Sequence, residues 1–241
     1  MKILSIGNSF SQDAHRWLHS IAASSGINID TYNLFIGGCS LETHWQNVTE
    51  NNAFYDYEIN GGEASRKISI LDALRAENWD IITIQQVSQF SGMWETYEPY
   101  LSALADFVRK ERPEAKIYFH ETWAYETDTT HGGFANYDND QRKMYTCIEK
   151  TSQQAAEKIS AQIIPVGRAV QAVREKIGEF DYANGGLSLC RDGFHLTLDY
   201  GRFIAAAVWL RTLTGKRVNV TEAENLNPEI LKKIIKVVNE I

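Results

Sequence analysis

The stretch KILSIGNSFSQDAHRWLHSIA, residues 2–22, decides the fold through where it divides. Residues 2–6 form an apolar run of strand length, and over 12–24 the apolar positions recur at helical spacing. Between them lie Gly7, Asn8, Ser9, Phe10 and Ser11. A glycine permits a sharp turn there. Ser9 then stands at the amino end of a helix, where free N–H groups and the helix dipole favour developing negative charge. Serine is also a common helix cap, so Ser9 or Ser11 has that plainer use as well.

The alternation continues along the chain. Strands are expected at 29–35, 79–84, 116–120 and 162–166, and helices at about 64–77, 97–110, 138–159, 169–177, 200–214 and 228–240. Strand and helix in turn predict an α/β chain, a three-layer α/β/α sandwich whose parallel sheet is covered on both faces. Ligands of such sheets bind beyond the carboxyl ends of the strands, so the residues after each strand are where chemistry is expected. Segments 43–62 and 125–137 are long, polar and aromatic, and are expected to be functional loops.

The 241 residues show no linker or composition shift, and a single domain over 1–241 is expected. No run approaches the roughly 18 consecutive apolar residues of a membrane span. A net charge of −7 and a pI near 5.4, with no basic stripe, argue against nucleic acid as a partner. Cys39, Cys147 and Cys190 are odd in number and lack metal-type spacing, which fits a reducing compartment. The run at 2–6 is short for a signal peptide, so a cytoplasmic location is expected. Neither G-x-G-x-x-G nor G-x-x-x-x-G-K-[ST] occurs, and no cofactor is expected.

A second informative stretch is CRDGFHLTLDYGRF, residues 190–203. A serine nucleophile needs a base to take its proton and a carboxylate to orient the imidazole, and His195 and Asp192 offer both within four residues. Taken alone, Asp192 is equally a turn former and His195 a packed or surface ring. Together, GNSFS and DGFHL resemble the first and fifth blocks of the SGNH (GDSL-like) hydrolase superfamily. Within it the chain is most similar to the DUF4886 branch, which has GNSFS where the wider family has GDS. The resemblance runs from residue 3 to about 214. It implies a flavodoxin-like sandwich with five parallel strands, Ser9 as nucleophile, His195 as general base and Asp192 as its orienting acid. Gly38, in FIGGCSLETHW, would share the oxyanion with the N–H of Ser9. The third block departs from the family's G-x-N-D, reading Ile84-Gln85-Gln86-Val87-Ser88-Gln89. This resembles the Q-G-E variant of acetylesterases that act on sugars, making Gln85 the expected oxyanion donor and Gln86 its substitute. Neighbours on a strand point to opposite faces, so at most one of the two is expected to reach the site.

The loop HETWAYETD, residues 120–128, is expected to border the pocket, with His120, Glu121 and Trp123 as substrate-binding residues. Trp123 and Tyr125 are either a platform for a sugar ring or packing residues, and His44 either touches substrate or packs its loop. His120, Glu121, Asp128 and His131 lack H-x-x-x-H or H-E-x-x-H spacing, and no metal is expected. The resemblance implies a serine esterase for a short acyl ester, a small molecule or an O-acetyl carbohydrate. A binding protein that uses the same cleft without chemistry is the second reading.

Overall fold

The computed structural model describes residues 1–220, 223 and 226–241. Its sheet comprises β1 (Lys2–Gly7), β2 (Asp30–Phe35), β3 (Tyr55–Ile59), β4 (Ala64–Ile68), β5 (Ile81–Ile84), β6 (Lys116–Glu121) and β7 (Gln162–Pro165). The spatial order is β4-β3-β2-β1-β5-β6-β7. The five strands from β2 to β7 that were expected are parallel, and β3 and β4 add an antiparallel hairpin at one edge. The strand count is therefore seven rather than five.

The hairpin escaped the sequence reading for a physical reason. The first four residues of β4 are exposed, so this edge strand shows no alternation of burial, and Ala-Ser-Arg-Lys reads as the start of a helix. The helix expected over 64–77 instead begins after Ser69, whose hydroxyl accepts the Asp72 N–H at 3.1 Å and caps α3 (Ile70–Ala76). Segment 43–62 is likewise no loop: it holds most of α2 (Leu41–Thr49) and all of β3. Segment 125–137 is mostly irregular and ends in a 3-10 turn over Gly132–Tyr137.

The remaining helices are α1 (Ser9–Ser24), α4 (Tyr100–Glu111), α5 (Gln141–Lys158), α6 (Val166–Lys176), α7 (Tyr200–Thr214) and α8 (Pro228–Val238). One core lies between the sheet and α1, α6 and α7, around Phe10, Leu18, Val170 and Phe203. The other lies under α2, α3 and α4, around Leu41, Leu74 and Leu101. Residues 203–210 of α7 are all buried, which is why its sequence is apolar all round rather than striped. Among the described residues no helix is long and apolar enough to cross a membrane.

Topology places the crevice. The chain leaves β1 for β2 on one side and later returns to place β5 on the other. Loops after β1 and β5 therefore diverge at the carboxyl end of β1, and Ser9 begins the helix that starts there.

Candidate active site

Every residue of the first turn has a physical task. Asn8, not a serine, is the helix cap: its Oδ1 accepts the Phe10 N–H at 3.0 Å. Ser11 Oγ accepts the Asn8 N–H at 3.1 Å, completing a capping box. The same hydroxyl lies 2.7 Å from Asn33 Oδ1 on β2 and folds back over Gly7. A Cβ on Gly7 would stand 2.1 Å from Ser11 Oγ, so glycine is required by this close approach and not by an unusual backbone angle. Asn8 thus relieves Ser9 of any capping duty, and Ser9 is half-buried at the edge of a cavity.

The candidate base arrives on the turn before α7. His195 Nδ1 donates to Asp192 Oδ2 at 2.7 Å, leaving Nε2 as the ring nitrogen free to take a proton. Asp192 Oδ1 also accepts the backbone N–H of His195 at 2.8 Å and of Phe194 at 3.2 Å. Partial burial would raise the Asp192 carboxyl, but these bonds, the imidazole's first, outweigh it and hold the group below the usual carboxylate range.

What fixes this turn is a residue the sequence reading missed. Asp13, one helical turn after Ser9, is fully buried and accepts the Leu196 N–H at 2.9 Å. It also accepts Arg202 Nε at 2.7 Å and Arg191 Nη1 at 3.1 Å. The helix that carries the candidate nucleophile therefore also anchors the loop of the candidate base. A signal existed: Asp13 falls on the buried stripe of α1 beside Phe10, Ala14 and Leu18, and a carboxylate on an apolar face needs partners. A second brace comes from Trp123, whose Nε1 donates to Phe194 O at 2.7 Å while its ring stacks on Phe10 at 4.0 Å.

Ser9, Gly38 and His195 meet at one cavity of about 300 Å³, which Gln89, His131 and Phe194 also line. Gly38 has φ +67°, a conformation that favours glycine. Among the described residues, neither its N–H nor that of Ser9 has an acceptor within the chain. Asn8 Nδ2 donates to Cys39 O at 3.1 Å and so ties the Ser9 turn to the Gly38 turn. Among the described residues no hydrogen bond joins the Ser9 hydroxyl to His195, a contact that in hydrolases often tightens only when substrate binds.

Six of the expected site residues are placed elsewhere. Gln85 does not line the cavity. Its Nε2 donates to Asn8 Oδ1 at 2.8 Å and its Oε1 pairs with His120 Nδ1 at 2.7 Å, so it supports the turn from behind. Gln86 bonds Thr96 and the Leu41 N–H, again inside the protein. His120 and Glu121 are the last residues of β6, which runs one residue further than expected and keeps both in the core. Glu121 is held by Arg168 Nε at 3.0 Å, yet burial outweighs that pairing and pushes its carboxyl up to about 7. Trp123 and Tyr125 are fully buried packing residues, not a platform. His44 lies buried in α2 with its Nδ1 2.8 Å from the Tyr55 hydroxyl. Of the three glutamines in 85–89, Gln89 alone lines the cavity.

Comparison with known proteins bears on the family and the fold. A DUF4886 family protein from Bacteroides uniformis superposes with TM-score 0.93 at 38% identity, over 100% of this chain and 93% of that one. Axe2, an acetylxylan esterase from Geobacillus stearothermophilus, gives TM-score 0.55 at 16% identity, over 90% and 96% of the two chains. A lipase/acylhydrolase from Enterococcus faecalis gives 0.56 at 13%, over 92% and 99%. At such identities these two show the fold alone, that of the SGNH hydrolases. No curated protein matches in sequence. The sequence profile of DUF4886, described as a domain of unknown function, matches residues 2–233, and the chain belongs to that family.

Proposed function

We propose that the protein is a serine esterase that hydrolyses short acyl esters through Ser9, His195 and Asp192. The observation that carries this reading is the meeting, at one cavity, of a helix-terminal serine, an imidazole oriented by a carboxylate, and two unpaired backbone N–H groups. In the proposed reaction His195 Nε2 takes the Ser9 proton as Oγ attacks the ester carbonyl carbon. The resulting oxyanion accepts the N–H groups of Ser9 and Gly38, and Gln89 takes the place expected of Gln85 as side-chain donor. Collapse breaks the ester C–O bond, and the leaving alkoxide receives the proton from His195. Water, deprotonated by His195, then attacks the acyl-enzyme. The acid departs, and Ser9 regains its proton.

Structural likeness to an acetylxylan esterase supports an O-acetyl group on a carbohydrate as the natural ester. The test is turnover of p-nitrophenyl acetate, butyrate and octanoate. The two short esters are expected to turn over, with kcat/KM for octanoate lower by about tenfold or more. Octanoate preferred over acetate, or no turnover of any ester above the buffer rate, would overturn the reading.

A further inference from the structure

Beside the catalytic cavity lies a second one, of about 450 Å³, and the two share Phe35 and Gly37 as common lining. Its far wall is built by the elements that were expected to be a loop and the start of a helix: α2, β3 and β4. Gln46 projects from α2, Asp56 and Lys67 come from the hairpin, and Phe54 stands just before β3. Strand register makes these positions continuous with the catalytic turn. Gly7 pairs with Phe35, Phe35 with Asp56, and Asp56 with Lys67, one row across four strands from the end of β1 to the sheet edge. Residues directly opposite one another share a face, so Phe35, Asp56 and Lys67 form a single track leading away from Ser9.

The chemistry of this track is specific. Phe54 is 59% exposed, and a large aromatic left open to solvent offers a face for a ligand. Around it stand planar polar groups, the carboxamides of Gln46 and Asn52 and the carboxylate of Asp56. Asp56 is paired with Lys67 at 2.9 Å, which cancels charge rather than concentrating it. A long acyl chain would take this ion pair and these amides out of water and leave them only the bonds they make with one another, with Asn47 and with Glu50, a costly exchange. An anionic ligand would face Glu50 and Asp56 against one lysine. A neutral, hydroxyl-rich ring with an apolar face matches Phe54 and can donate its hydroxyls to the Gln46 and Asn52 carbonyls and the Asp56 carboxylate, while the amide nitrogens keep their bonds to Glu50 and Asn47.

We propose that this second cavity is a saccharide subsite, which holds a neutral sugar of the alcohol portion of the ester while its acyl group occupies the cavity at Ser9. The proposal rests on the esterase reading for the acyl end only. Phe54 stacks on the sugar ring, and Gln46, Asn52 and Asp56 bond its hydroxyls.

Two readouts keep the proposal apart from the esterase reading. The first is calorimetric titration of Ser9→Ala protein with unesterified xylo-, manno-, cello- and malto-trioses, which needs no catalysis. At least one is expected to bind, and adding Phe54→Ala or Gln46→Ala is expected to weaken that binding about tenfold or more. The second uses the acetylated form of the trisaccharide that binds. Its kcat/KM, divided by that for p-nitrophenyl acetate, is expected to fall at least as far in Phe54→Ala. Binding of none of the four, or binding that neither substitution weakens, overturns the subsite. Sugar binding without ester turnover keeps the subsite and overturns the esterase.

Discussion

Ser9→Ala is expected to lower kcat for p-nitrophenyl acetate by about 10⁶ and Asp192→Asn by about 10⁴, the losses seen when a serine triad loses its nucleophile or its carboxylate. KM is expected to stay close to that of the wild type, because neither side chain is asked to hold the ground-state ester. The Ser9 hydroxyl caps nothing, since Asn8 does that, so Ser9→Ala is expected to melt with the wild type. Asp192→Asn replaces the acceptor of the His195 Nδ1–H and of two backbone N–H groups, and some loss of stability accompanies its loss of rate. Steady-state kinetics beside thermal melts separate the two effects. Ser9→Ala activity within tenfold of wild type would remove the nucleophile from the account.

Acid is expected to unfold the protein well before its carboxylates are all protonated. Burial pushes His15, His44 and His120 down to about 3 from the ordinary 6.5, His120 also through the nearby His15. Each folded-state value lies below the unfolded one, so the unfolded chain takes up protons that the folded chain refuses. Their stabilisation is complete above about pH 6.5 and is lost as pH falls towards 3. Between pH 7 and pH 5 each histidine removes about 2 kcal/mol. Glu121 works the other way: raised to about 7 by burial, its folded carboxyl keeps a proton that the unfolded chain has released. It gives back about 2 kcal/mol over the same interval. Asp192, held low, loses its contribution only below this window. These four groups together give a loss of about 4 kcal/mol, a large part of the roughly 5–15 kcal/mol typical of a domain; His131, lowered by burial, adds to the loss, and Glu58, raised by burial, offsets part of it. Urea unfolding at pH 7 and pH 5 reads it directly, and equal stability at both values would contradict the burial of three neutral imidazoles.

The parallel strands were legible because short apolar runs, nearly or wholly buried in β1 and β5, stand between segments of helical period. The hairpin was not, because β4 is an edge strand with four exposed residues and carries neither period. Yet Tyr55 and Tyr57 on β3, both buried around the half-buried Asp56, did hold a strand signal within the supposed loop. At the candidate site, Ser9, Gly38, Asp192 and His195 were singled out because each belongs to a short local pattern, and the structure brings Ser9, Gly38 and His195 to one cavity with Asp192 bonded to His195. Asp13 and Trp123 act through partners far along the chain, Leu196, Arg202 and Phe194; the apolar stripe around Asp13 signals that it needs partners, but no local pattern says which. Gln85 was assigned to the cavity because its amide is a donor of the right kind. The structure turns that amide inward to Asn8, where it steadies the turn.

Covalent trapping reads whether Ser9 is a nucleophile activated by His195. A fluorophosphonate ester loses fluoride to an activated serine oxygen and leaves a stable phosphonyl adduct that intact-mass and peptide spectra locate. One adduct per chain is expected, on the peptide that contains Ser9, absent in Ser9→Ala and formed far more slowly in His195→Ala. An unmodified wild-type protein, or an adduct carried by any other residue, would contradict that role for Ser9.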